Sequence, residues 1–235
     1  MRLALETIRS HRVDWDGLET KALHSPVKAQ EAYNHWSATY DRDRNLTRDL
    51  DQTITRNILA NLRCKSVLEI GCGTGKNTAL LAEIGEYVYA FDFSEAMIEK
   101  ARQKLRAGNV SFVVADLTQR WPCKERAVDL IACNLVLEHI RDLSFIFAEA
   151  DRVLGRGGRF FISELHPFRQ YQGTKANFQR EQQTTEIEAF VHHLSDFTDA
   201  AAHGGFSLTN MNEWWHEEDH TKPPRLVSFM FEKQG

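Results

Sequence analysis

The sequence predicts an α/β protein with a mostly parallel sheet, and three observations lead there. From residue 66 onward, short apolar runs rich in β-branched and aromatic residues alternate with stretches of helical periodicity. Those runs are almost continuously apolar, as strands covered by helices on both faces must be. A loop carrying Gly71, Gly73 and Gly75 lies between the first run and the first helical stretch, where an α/β sheet presents backbone N–H groups to a ligand.

In chain order, Ser25-Pro26 marks a helix start, because proline suits the first helical turn. Leu50, Ile54, Ile58 and Leu62 recur at four-residue spacing on one face of a second helix. Residues 1–62 thus read as a helical extension or lid packed on the core, and residues 63–235 as the core. The predicted strands are SVLEIG (66–71), YVYAFDF (87–93), VSFVVADL (110–117), VDLIACNLVL (128–137) and RFFISEL (159–165). Between them lie helices over 76–84, over 94–106 with Ser94 as N-cap, and over 142–154 closed by Gly155. A helix over 194–206 ends at Gly204-Gly205, and SLTNMNEWW and RLVSFMFEK then form two strands able to pair antiparallel. Residues 166–193 are polar and too long for a simple connection, so they read as a functional insertion.

Composition narrows the function. The 235 residues are 42% hydrophobic with 13 Gly and 5 Pro, enough for one domain with a real core. Lys and Arg (29) and Asp and Glu (33) nearly balance, so no basic excess supports binding to a phosphate backbone, and nucleic acid is disfavoured as a partner. Charges throughout the first fifteen residues, with no 18-residue apolar run, lead us to expect a cytoplasmic protein. Cys64, Cys72, Cys123 and Cys133 show no CxxC spacing, so neither a disulfide nor a metal site is expected.

The glycine loop, VLEIGCGTGKN (67–77), separates the ligand classes. A phosphate-binding GxxxxGK[ST] loop would need glycine where Ile70 stands and Ser or Thr where Asn77 stands. A dinucleotide GxGxxG loop would need glycine at Lys76. EIGCGTG instead resembles motif I of the class I S-adenosylmethionine-dependent methyltransferases, in particular the branch of the ubiquinone and menaquinone C-methyltransferases. The sequence DFSEAM at 92–97 is similar to the family's D-x-S-x-x-M. Ala115-Asp116-Leu117 resembles its adenine clamp, and Leu137-Glu138-His139-Ile140 resembles its L-E-H-[IV]. The resemblance covers about residues 30–165 and implies a Rossmann-like sheet of order 3-2-1-4-5-7-6 with strand 7 antiparallel.

The resemblance also implies a cofactor, S-adenosylmethionine, leaving as S-adenosylhomocysteine, held by Glu69, Gly71, Cys72, Gly73 and Asn77 of the loop region. Asp92 would take the ribose hydroxyls, Phe93, Met97, Ala115, Asp116 and Leu117 would surround the adenine, and Asn134 and Leu135 would flank the methionyl group. Plainer readings stand beside these. Glu69 either touches ligand or bonds the loop's amides, Asp92 either binds ligand or caps a helix, and Asp116 either clamps adenine or serves a turn. Tyr33, Trp36 and Tyr40 either close over the cofactor or staple helices together.

For catalysis the candidates are His139, alternatively part of the cofactor shelf, and His166, His192 and His193 of the insertion, where Tyr171 also stands. At least one residue of the insertion is expected to touch substrate. His216 to His220 spell HExxH, but they lie between two strands and not on a helix, so no zinc is expected. Pro122-Cys123 is similar to the nucleophile of cytosine C5 methyltransferases yet precedes strand four, so Cys123 is expected to be inert. No NPP[YF] motif follows strand four, which argues against amino methylation of DNA bases. The resulting expectation is methyl transfer to a small-molecule acceptor by in-line displacement. The alternatives are a non-catalytic binder of the cofactor or its product acting as a regulatory subunit, and a nicotinamide-dependent reductase, which Lys76 and the lack of a Tyr-x-x-x-Lys pair at Tyr40 and Arg44 disfavour.

Overall fold

The computed structural model describes residues 29–174, 177–180, 183–219 and 221–235. The helix start expected at Ser25-Pro26 lies outside the described residues, as does His220. Helix α1 spans Ala29–Trp36 and α2 spans Leu46–Leu59. The side chain of Asn45 caps α2 by accepting the N–H groups of Thr47 and Arg48 at 3.0 and 3.1 Å, which satisfies two otherwise orphaned donors. The helix ends three residues before Leu62, which still packs against the same core as Ile54 and Leu59.

The core alternates as expected: β1 (Cys64–Ile70), α3 (Thr78–Ile84), β2 (Gly85–Asp92), α4 (Glu95–Lys104), β3 (Val110–Val114), β4 (Val128–Asn134), α5 (Leu143–Val153) and β5 (Leu154–Leu165). Then come α6 (Pro167–Tyr171), a hairpin of β6 (Asn177–Arg180) and β7 (Gln183–Glu186), α7 (Leu194–His203), β8 (Phe206–Trp214) and β9 (Leu226–Lys233). Ser94 caps α4 as expected, accepting the Met97 N–H at 3.2 Å.

Some boundaries differ from expectation. The chain passes from α5 directly into β5, so Gly155 lies inside a strand and not at a helix end, because Leu154 already has extended dihedrals. Strand β3 stops at Val114, since Asp116 opens a turn by accepting the N–H of Thr118 at 2.9 Å. Strand β4 stops at Asn134 because Leu135 takes a left-handed φ of 57°.

The main sheet runs β3-β2-β1-β4-β5-β9-β8, with β9 antiparallel to both neighbours and the insertion hairpin apart from it. Counting only main-sheet strands, this is the expected 3-2-1-4-5-7-6. Consecutive strand residues serve opposite layers. Leu68, Ile131 and Phe160 face the layer of α5 and α7, while Val67, Leu130 and Phe161 face that of α2 and α3. Both sets are buried, which explains why the strands read as unbroken apolar runs and not as alternations. Among the described residues, no helix is long and apolar enough to cross a membrane.

Phe147 of α5 anchors the first layer, with ring centroids 5.3, 5.8 and 5.4 Å from Phe160, Phe206 and Phe231. Truncating it, Phe147→Ala, is expected to cost about 3–5 kcal/mol of unfolding free energy, measured from urea denaturation.

Candidate cofactor site

Strand order reverses between β1 and β4, and the strand ends there open a crevice. A cavity of about 300 Å³ fills it, lined from β1 by Gly71 and Gly73, from β2 by Asp92 and Phe93, and from β4 by Asn134 and Leu135. Gly71 has φ 75°, and a Cβ there would stand 2.0 Å from Val136 Cγ2. Two loops therefore touch through a position that only glycine can fill.

Carboxylates hold these loops. Asp92 accepts the N–H of Gly73 and of Ser94, each at 2.8 Å. Burial pushes its pKa up to about 6, against the opposing pull of those N–H groups. On the other side of the crevice, Glu164 Oε1 accepts the N–H groups of both Val136 and Leu137 at 2.8 Å. Burial pushes Glu164, and likewise Glu69, up to about 8. Asn134 donates to Asp51 and Thr55 at 2.8 Å, while its own Oδ1 is buried without a partner.

The N-terminal helix closes the crevice. Gln30 Nε2 donates to the Phe93 carbonyl at 2.8 Å and Ser94 donates to Asn34 at 2.6 Å. Tyr33 and Tyr40 line the cavity, and the Tyr33 hydroxyl lies 3.0 Å from His139 Nε2. His139 Nδ1 faces the Glu188 carbonyl at 2.8 Å. A carbonyl only accepts, so Nδ1 carries the proton of the neutral ring, and Nε2 accepts from Tyr33. A second cavity, of about 280 Å³, adjoins the first and shares Tyr33, Tyr40 and Leu135 with it.

Comparison with known proteins agrees with this geometry. Residues 68–162 match the family described as a methyltransferase domain. Over this stretch the chain is similar to the S-adenosylmethionine-dependent methyltransferases. It is 31% identical over 165 residues to the biotin biosynthesis bifunctional protein BioHC of Cellvibrio japonicus, covering 70% of this chain and 31% of that one. It is also 31% identical over 145 residues to the demethylmenaquinone methyltransferase of Clavibacter sepedonicus, covering 60% and 59% respectively. The chain thus spans about a third to three fifths of these relatives. An S-adenosylmethionine-dependent methyltransferase structure from Mesorhizobium loti shares the fold at TM-score 0.67 and 17% identity, covering 80% of this chain and 100% of that one.

The family's cofactor is S-adenosylmethionine, and the crevice fits it. The buried, partnerless Oδ1 of the cavity-lining Asn134 is an acceptor suited to a donor such as an ammonium group, and Asp92, two strands away in the sheet, brings a carboxylate to the same cavity.

Of the residues expected to hold the cofactor, Tyr33, Tyr40, Gly71, Gly73, Asp92, Phe93, Met97, Asp116, Leu117, Asn134 and Leu135 line this cavity. Glu69, Cys72, Asn77 and Ala115 do not. Glu69 is buried behind the loop and accepts the Thr78 hydroxyl at 2.5 Å, and Asn77 donates to Asp51 at 2.8 Å. Cys72 packs with Ala90 and Ile98, and Ala115 spends its N–H on the Asp92 carbonyl at 2.9 Å. Asp92 and Asp116 each line the cavity and also accept local N–H groups, while the cap of α4 is Ser94. Trp36 lines the second cavity only.

His139 lines the cofactor cavity; the insertion's histidines line neither cavity. His166 is wholly buried, accepting the Phe168 N–H on Nδ1 and donating from Nε2 to Glu213 at 2.8 Å. His192 donates to the Leu137 and Ile140 carbonyls at 3.1 and 2.7 Å. His193 precedes α7 and bonds Tyr171 through its ring. Burial pushes the Cys123 thiol up, against the pull of the Arg152 guanidinium. Sequence reasoning missed Ala29, Gln30, Thr118 and Val136 on the cavity wall, which belong to no motif and which only the fold brings in, and gave no role to Ile140, which closes the L-E-H-[IV] motif.

Two outcomes follow. Glu164→Ala would strand two buried N–H groups at about 1–3 kcal/mol each, whereas Glu164→Gln keeps an accepting oxygen and should cost less; urea midpoints compare them. Glu69 and Glu164 also hold protons to about pH 8 when folded, whereas an unfolded Glu ionises near about 4.3. The stability they contribute is complete below the unfolded value and is lost as pH rises to about 8, so the urea midpoint should fall between about pH 4 and 8 and level off above.

Proposed function

We propose that the chain transfers a methyl group from S-adenosylmethionine to a small-molecule acceptor. The observation that carries this reading is the pair of adjoining cavities, one at the strand ends and one beside it, separated by Tyr33, Tyr40 and Leu135. Such a pair offers a cofactor seat and an acceptor seat on either side of one wall. When bound, the cofactor supplies a methyl group on a positively charged sulfur, open to in-line displacement. Asp92 would accept the ribose hydroxyls, Asn134 Oδ1 the ammonium, and Met97, Asp116 and Leu117 would border the adenine.

The remaining work is alignment and exclusion of water, worth about 7–11 kcal/mol when orientation is ideal. Helix α1 does this by laying Gln30 and Tyr33 across the crevice. Tyr33 is not a base, because burial pushes its hydroxyl well above its ordinary value. His139 Nε2 is an acceptor and can take a proton from an acidic acceptor that displaces the Tyr33 hydroxyl. The names of the relatives, which refer to biotin biosynthesis and demethylmenaquinone, support a small-molecule acceptor.

Calorimetric titration tests the reading. Micromolar binding of S-adenosylmethionine and S-adenosylhomocysteine is expected, weakened about tenfold or more, or about 1.4 kcal/mol, by Asp92→Ala; no binding of either would sink it. The ionised carboxylate is the better acceptor, and Asp92 ionises at about 6. Affinity should therefore rise with pH, about tenfold per unit below 6, and level off above it. Release of S-adenosylhomocysteine in an acceptor screen then separates transfer from mere binding.

A further inference from the structure

We infer that the second cavity recognises an acceptor through a carboxylate, with Arg48 as its principal ligand; this rests on the cavity's being the acceptor seat. Three guanidinium groups, those of Arg44, Arg48 and Arg225, line it. Two are already answered by carboxylates. Arg44 pairs with Glu218, and Arg225 makes a two-point contact with Asp219 at 2.5 and 3.0 Å.

Arg48 differs from both. It is only 8% exposed, and among the described residues no carboxylate lies within ion-pair distance of it. Its Nη1 and Nη2 donate to the carbonyls of Tyr40 and Asp43 at 2.5 and 2.8 Å, and its Nε is buried with no partner. The guanidinium carbon stands 3.9 Å from the centre of the Tyr40 ring. A buried charge held by two carbonyl dipoles and the faces of Tyr40 and Trp36, with the Asp41 carboxylate acting on it beyond ion-pair distance, is costly, and an anion in the cavity would relieve that cost.

Independent features agree on the sign of the ligand. The N-terminal turn of the fourteen-residue α2, from Leu46 to Arg48, lines the same cavity and points its positive dipole end there. The carboxyl of Glu138, on the same wall, is pushed up by burial, and its Oε2 is partnerless. Burial thus opposes a negative charge on this wall. The unanswered charge on the wall is a single positive one on a planar fork, which suits a planar monoanion, a carboxylate, better than a phosphate of about two negative charges.

The test uses the full chain saturated with S-adenosylhomocysteine and measures binding of benzoate, benzamide and phenyl phosphate by ligand-observed NMR. Benzoate is expected to bind at least tenfold more tightly than benzamide. Arg48→Gln should erase that preference, and Arg48→Lys should keep part of it. A thermal melt checks folding of each variant; if Arg48→Gln fails to fold, the wild-type comparison and Arg48→Lys still decide. Equal binding of benzoate and benzamide to the wild type, a preference that survives in a folded Arg48→Gln, or tighter binding of phenyl phosphate than of benzoate would each overturn the proposal. If S-adenosylhomocysteine does not bind the wild type, it is the cofactor reading that fails, and the same three ligands measured on the free protein still test the second cavity.

Discussion

Strand ends in a parallel sheet release backbone N–H groups into a region sealed from water, and those groups must find acceptors. In this protein buried carboxylates provide them. Asp92 binds the loop after β1 and the start of α4 at once, and Glu164 gathers two successive N–H groups of the loop after β4. Without these acceptors the two loops would have no fixed separation, and the crevice between them would have no fixed width. The shape of the site thus depends on a few carboxyl groups removed from bulk water.

Removal from water has an electrostatic consequence. Asp92, Glu69 and Glu164 all hold protons at higher pH than free carboxyls do, burial being the largest cause in each case. Asp92, the one of the three that lines the first cavity, is well matched to a cationic guest, because the guest's charge restores the ionisation that burial opposes. The second cavity differs in carrying a buried guanidinium, that of Arg48, beside the one buried acid Glu138 in its lining. Opposite local charges on the two sides of Tyr40 would keep a cationic ligand and an anionic one in separate seats.

Much of this was legible in the sequence. The five parallel strands, the Ser94 cap and the antiparallel final pair follow from apolar runs, turn residues and spacing, since these report local geometry and burial. The glycines, Asp92 and Asn134 were recognisable because their chemistry is tied to a fixed place at a strand end. The errors share a physical cause. Glu69 and Asn77 were assigned to the ligand, yet each turns away to satisfy a buried neighbour, a choice that depends on partners distant in sequence such as Asp51. The insertion's histidines looked catalytic from composition, but they serve carbonyls, a carboxylate and a tyrosine. Arg48 gave no signal beyond a helix-face arginine, because its isolation arises only when α2 folds back on Tyr40.

The contact between Gly71 and Val136 limits how the sequence can drift. A methyl group at position 71 would overlap the valine side chain and would also have to adopt a left-handed backbone. Position 136 is free to carry a branched side chain only while position 71 carries none. The two sites, 65 residues apart, therefore behave as a single heritable unit: change at one is viable only with change at the other, and the backbone dihedral at 71 closes even that route.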